Sequence, residues 1–143
     1  SSMEPDSDYY LPFGKAKKVM EGDDLTIITW GALVQKSIEA VNNLQVSADI
    51  IDIRTLNPLD LDFIVDSIKK TNRVLIVHED NITNGFGAEI SSQIVDVSFE
   101  YLDAPIKRVA SKDVPIAYSP ILEDEILVQT SWIEKAIQEI LEY

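Results

Sequence analysis

Four consecutive aliphatic residues, Val74-Leu75-Ile76-Val77, end abruptly in His78-Glu79, and this step constrains the fold of the 143-residue chain more than any other stretch. An apolar run of this kind, with no polar alternation, reads as a strand buried on both faces, which requires a sheet with helices on either side. A polar loop, Asp80 to Asn84, then leads into Gly85-Phe86-Gly87-Ala88-Glu89, where two glycines free the backbone at the start of a new amphipathic segment. In an open α/β sheet, the carboxyl end of such a strand is where ligands or partners dock.

The flanking sequence repeats the pattern. Leu25 to Trp30 reads as a strand, followed by a helix with Val34, Ile38, Val41 and Leu44 on one face. Ala48 to Ile53 reads as a second strand stopped by Asn57-Pro58; Asp60 is placed to cap a helix whose stripe is Leu61, Ile64, Val65 and Ile68. Ile90, Ile94, Val97 and Tyr101 mark a third helix, and Ile106 to Ala110 a fourth parallel strand. Ser111 to Thr130, with Pro115 and Pro120, reads as a long loop of the sort a compact domain keeps for a use. Ser131 and Glu134 read as a capping box opening a last helix with Ile133, Ile137, Ile140 and Leu141 on one face.

Alternating strands and helices predict parallel strands joined by right-handed crossovers, hence a three-layer α/β/α domain spanning residues 25–143. Residues 1–24, broken by Pro5, Pro12 and Gly14, read as an arm or linker with little structure of its own, and Lys15, Lys17 and Lys18 as a solvated face. Ser1-Ser2 ahead of Met3 read as residues added in expression, as on a piece cut from a longer chain.

Charge narrows the partners. Twelve basic residues against 25 acidic ones give a net charge of −13, which disfavours nucleic acid and anionic membranes and makes a basic protein the natural complement. With no cysteine there is no disulfide framework, thiolate nucleophile or cysteine zinc site. No apolar run approaches the roughly 20 residues of a membrane span and the start lacks the features of a signal peptide, so a soluble protein of the cytoplasm, or of the mitochondrial matrix in a eukaryote, is expected.

His78, the single histidine, beside Glu79 invites a general-base reading, but neighbours on a strand point to opposite faces, and a structural or interface role is preferred. Gly85 to Glu89 is too short for a dinucleotide fingerprint, follows the third strand instead of the first, and sets Glu89 against any phosphate. A receiver-like phosphorelay site lacks its acidic pair after the first strand, and Glu123-Asp124-Glu125 reads as a solvated acidic run. The residues alone thus describe an acidic α/β domain without a self-sufficient catalytic set.

Several blocks, in order, resemble the C-terminal domain of the transketolase superfamily, most nearly the β subunit of thiamine-diphosphate-dependent 2-oxoacid dehydrogenases. They are Leu11-Pro12-Phe13-Gly14-Lys15-Ala16, Asp24 to Gly31, Ile51 to Asp60, Val77-His78-Glu79, Gly85 to Ile90, Leu102 to Val109 and Asp113 to Tyr118. The resemblance implies a mixed five-stranded sheet with one antiparallel edge strand. It also implies that thiamine diphosphate and magnesium are bound by regions absent here, with an alpha subunit and a second beta copy as partners. It places His78, Glu79, Gly85, Phe86, Gly87 and Glu89 near the subunit contact or the edge of the active site, and assigns no catalytic, cofactor or metal residue to this chain. Asp113 and the terminal Tyr143 carboxylate would face the basic subunit-binding domain of the acyltransferase. Asn84 stands where that family usually has the first of two glycines, and asparagine tolerates positive φ better than other non-glycine residues. The alternatives are the C-terminal domain of a transketolase or deoxyxylulose-phosphate synthase, and a stand-alone flavodoxin-like small-ligand binder.

Overall fold

A computed structural model describes residues 10–143; Ser1-Ser2, Met3 and the first part of the expected arm lie outside the described residues. Five strands, β1 (Lys17–Met20), β2 (Leu25–Thr29), β3 (Ala48–Asp52), β4 (Val74–Asn81) and β5 (Lys107–Ser111), form one sheet in the order β1-β3-β2-β4-β5. Strand β1 is antiparallel to β3, and the other pairings are parallel, with Thr29 level with both Asp52 and Val77, and Val77 level with Val109.

The pleat divides the apolar runs between two cores. Leu25, Ile27, Leu75 and Val77 face α1 (Leu33–Leu44) and α5 (Thr130–Leu141), where Val41, Ile133, Ile137 and Ile140 close the layer. Ile28, Ile51, Val74 and Ile76 face α2 (Leu61–Thr71) and α3 (Phe86–Ser98), packing on Ile64, Ile68, Ile90 and Ile94. Each such side chain is fully buried, worth about 2–3 kcal/mol by removal from water. The step from β2 to β3 carries its helix on one face; the steps β3 to β4 and β4 to β5 run the other way across the sheet with helices on the other face. Reversing both direction and face preserves handedness, so the three crossovers share one hand, which in parallel sheets is right-handed.

Several expectations are corrected. The supposed arm contains β1, and Lys18 is no solvated residue: its ammonium meets Asp49, buried in β3, at 2.7 Å. Four residues opening on two lysines, with a register shift between Lys18 and Met20, carry too little alternation to read as a strand. The expected loop after β5 contains α4 (Pro120–Ile126). Asp60 stands at the N-cap position of α2 without bonding its amides; its carboxylate instead accepts from the Ala16 amide at 3.0 Å. Gln129, not Ser131, is the N-cap of α5, and Glu134 accepts from Asn43 Nδ2 at 2.7 Å instead of closing a box. The third helix also stops sooner than its stripe suggested: Val97 is exposed and Tyr101 lies in a 3-10 turn, Phe99–Tyr101.

Asp49 is the main polar exception in the sheet. Its buried carboxylate takes Lys18, Lys70 Nζ at 2.9 Å, Ser67 Oγ at 2.5 Å and the Gly22 amide at 2.9 Å, and Thr26 extends the network to Ser67 and Thr71. Burial alone pushes this carboxyl up; the four donors outweigh it and bring it down to about 2.

Candidate functional site

The opening feature of the sequence occupies the carboxyl end of β4 and the first turn of α3. Side-chain alternation separates the pair there: His78 is fully buried between Trp30 and the start of α3, and Glu79 is exposed. The imidazole stacks on the Trp30 indole with centroids 5.3 Å apart and planes 1° from parallel, an offset stack that fixes the ring. Its other contact is the start of α3. A Cβ on Gly87 would fall inside the imidazole at Nε2 and Cδ2, and one on Gly85 would collide with the Asn81 carbonyl oxygen and lie 2.8 Å from His78 Cε1.

These two glycines are needed for close approach and not for backbone freedom, since Gly85 has φ −65°. The left-handed position is Asn84, with φ 60°, where asparagine meets the demand expected of it. Neither imidazole nitrogen has a hydrogen-bond partner among the described residues. Burial pushes the His78 pKa down, Asp80 opposes this and Arg108 adds to it. A general base needs an orienting partner and a path to the proton it takes. His78 has indole on one side and helix backbone on the other, an arrangement that locks α3 to β4 and offers no such path.

The titration has a definite sign. An unfolded histidine binds its proton near pH 6.5 while folded His78 resists it, so the unfolded chain gains protons first and stability falls as pH drops below about 6.5. Urea midpoints measured from pH 7 down to pH 5 are expected to fall more steeply for the parent than for His78→Gln; parallel slopes would remove this residue from the acid sensitivity.

The remaining candidates are spread over the surface. Phe86 and Glu89 line a cleft of about 430 Å³ with Leu56, Pro58 and Leu61, and Glu89 accepts from Gln93 at 2.8 Å. Asp113 is exposed, and its two carboxylate oxygens accept from the Thr83 amide at 3.0 Å and the Thr83 hydroxyl at 2.6 Å, which hold the carboxyl below its ordinary pKa. Tyr143 borders a different groove of about 530 Å³, with Ser91, Val95, Phe99 and Pro105. That groove precedes β5 and Asp113 follows it, so the two docking candidates stand at opposite ends of a five-residue strand, about 16 Å apart along its axis. Trp30 and Thr83, which organise His78 and Asp113, carried no sequence signal beyond their proximity to strand ends.

Among the described residues no group of three or more histidine, cysteine, aspartate or glutamate side chains is placed to hold a metal ion, and no helix is long and apolar enough to cross a membrane.

Residues 14–133 match the family described as Transketolase, C-terminal domain. The chain is similar to the mitochondrial pyruvate dehydrogenase E1 component subunit beta of Dictyostelium discoideum, 41% identical over 143 residues, covering 98% of this chain and 40% of that protein. It is 38% identical over 143 residues to the 2-oxoisovalerate dehydrogenase subunit beta of Bacillus subtilis, covering 97% of this chain and 44% of that protein. Among solved structures, a split-gene transketolase described as an inactive beta4 tetramer superposes with a TM-score of 0.80 at 23% identity, covering 98% of this chain and 45% of that one. The chain therefore spans less than half the length of the curated relatives it matches. With a sheet of the same fold and the family's sequence running through nearly all of its elements, the chain belongs to the transketolase C-terminal domain family.

Proposed function

We propose that the chain is the C-terminal assembly and docking domain of the β subunit of a thiamine-diphosphate-dependent 2-oxoacid dehydrogenase, contributing to oxidative decarboxylation of a 2-oxoacid without supplying a catalytic group. The carrying observation is the near-complete coverage of this chain, at 38–41% identity, by β subunits of both pyruvate and 2-oxoisovalerate dehydrogenases. The likeness to a transketolase at 23% identity supports the shared fold and gives the transketolase alternative no comparable weight.

The residues described do not fit a site for thiamine diphosphate and magnesium. They lack a metal-holding carboxylate cluster, and the start of α3 has Glu89 in its first turn and His78 packed beneath it. No step of the reaction is therefore assigned to them. The cofactor belongs, in this reading, to parts of the complete enzyme beyond this chain. The partners are an alpha subunit, a second beta copy and the basic subunit-binding domain of the acyltransferase, in the cytoplasm or, in a eukaryote, the mitochondrial matrix.

The net charge of −13 supports the last of these partners. Calorimetric titration of the chain with that basic domain is expected to show binding at low ionic strength that weakens steeply as salt is added. Absence of binding at low ionic strength would overturn the docking assignment.

A further inference from the structure

The cleft of about 430 Å³ lies at the carboxyl end of the sheet, between residues 56–61, which follow β3 and open α2, and the first turns of α3. Open α/β sheets take their ligands at that end, and the volume falls within the range of small-molecule sites. Leu59, Leu61 and Phe86, each half-buried, give the cleft its apolar lining, and Asn57, Gln93 and Glu89 add polar groups. Glu89 is the one charged side chain among the lining residues. It is exposed, and Gln93 Nε2 donates to its Oε1 at 2.8 Å. No lysine or arginine pairs with it among the described residues. Lys15 and Arg54, on the segments beside the turn, are engaged with Asp60 at 3.5 Å and Asp52 at 3.9 Å.

The sign of the ligand follows from this lining. Helix starts ordinarily favour anions, but α2 and α3 already carry Asp62 and Glu89 in their own first turns. A phosphate or a carboxylate entering the cleft would meet Glu89 with no lining cation to balance it. An ammonium group reverses the argument. It would take Glu89 Oε2, which no donor among the described residues occupies, in a charge-assisted hydrogen bond. An apolar body behind it would cover Leu59, Leu61 and the Phe86 ring, whose face also attracts a cation. We propose that this cleft is a binding site for a small organic cation, a primary ammonium group on a short apolar or aromatic body. The site does not rest on the docking reading above.

The test is titration of the whole chain with phenethylammonium, followed through the side-chain amide resonances of Asn57 and Gln93. Saturable shifts of both are expected, with a Kd on the order of 1 mM for so small a ligand. Neutral phenethyl alcohol should bind about tenfold more weakly, and the anion hydrocinnamate should give no shift. Glu89→Gln replaces an exposed side chain, so its melting temperature should match the parent's, and it should reduce the cation to the affinity of the alcohol. If the alcohol binds as well as the cation, or Glu89→Gln binds the cation as well as the parent does, the assignment fails and the docking reading stands. Absence of any shift at millimolar concentrations of the cation would overturn it equally. Loss of cation binding in the complete enzyme, with its alpha subunit present, would give the cleft to a subunit contact and overturn a free-ligand site.

Discussion

Asp49→Ala is expected to lower the unfolding free energy by about 3 kcal/mol at pH 7, the lower end of what removing one partner from a buried ion pair costs. The lower end applies because Lys18 and Lys70 are about one-third exposed and can recover water. The Gly22 amide and the Ser67 hydroxyl cannot do so as readily, and each loses its acceptor. Asp49→Asn keeps one acceptor oxygen and loses the charge, so it should cost less, about 1–2 kcal/mol.

The carboxyl is held at about 2 against an ordinary 3.8, which corresponds to about 2 kcal/mol of stability. Because the folded value is the lower one, that contribution is complete above about pH 4 and is lost as pH falls through about 2. Urea unfolding of parent and Asp49→Asn between those limits should show the gap closing as acid is added. A gap independent of pH would show that shape, and not charge, fixes the effect.

The second large effect concerns Gly87. Replacing a helical glycine by alanine ordinarily gains up to about 1 kcal/mol. Gly87→Ala is expected instead to cost about 2–4 kcal/mol, because the new methyl group enters space held by the His78 ring, itself braced by Trp30. His78→Ala alone should cost about 2–3 kcal/mol as a large-to-small change at a buried site. The double variant should then be more stable than the sum of the two losses by at least about 1 kcal/mol, since each change relieves the other. Strict additivity in denaturant titrations would mean that the ring and the helix start do not press on each other.

The pair also shows which parts of the fold were legible in the sequence. Val74 to Val77 announced a strand buried on both faces because burial acts on every residue of the run, and the helix stripes of α1, α2 and α5 were readable for the same reason. His78 and Glu79 could be separated by the pleat alone. The role of Gly85 and Gly87 could not, because it is set by a side chain that reaches them across the turn from β4. Strand β1 escaped for a related reason: it is an edge strand held partly by Lys18 on Asp49, a partner 31 positions along the chain, and neither residue marks the other. Helix α4 carries Ile121 and Leu122 outward and buries only Ile126, so the stripe that identifies a core-facing helix is absent. Asp113 was singled out for an outside partner, and its tie to Thr83 depends on where the loop after β4 comes to rest.

The position of β1 has a mechanical consequence. Residues 10–16 run directly into this edge strand, whose backbone pairs with Ile50, Ile51 and Asp52 and whose Lys18 grips Asp49. Tension on the incoming chain is therefore carried into β3, next to the centre of the sheet, through main-chain bonds and a sheltered charge acting together. Anything tethered through residues 10–16 pulls on a rigid plate and not on a slack cord, and the tether point inherits the stiffness of the sheet.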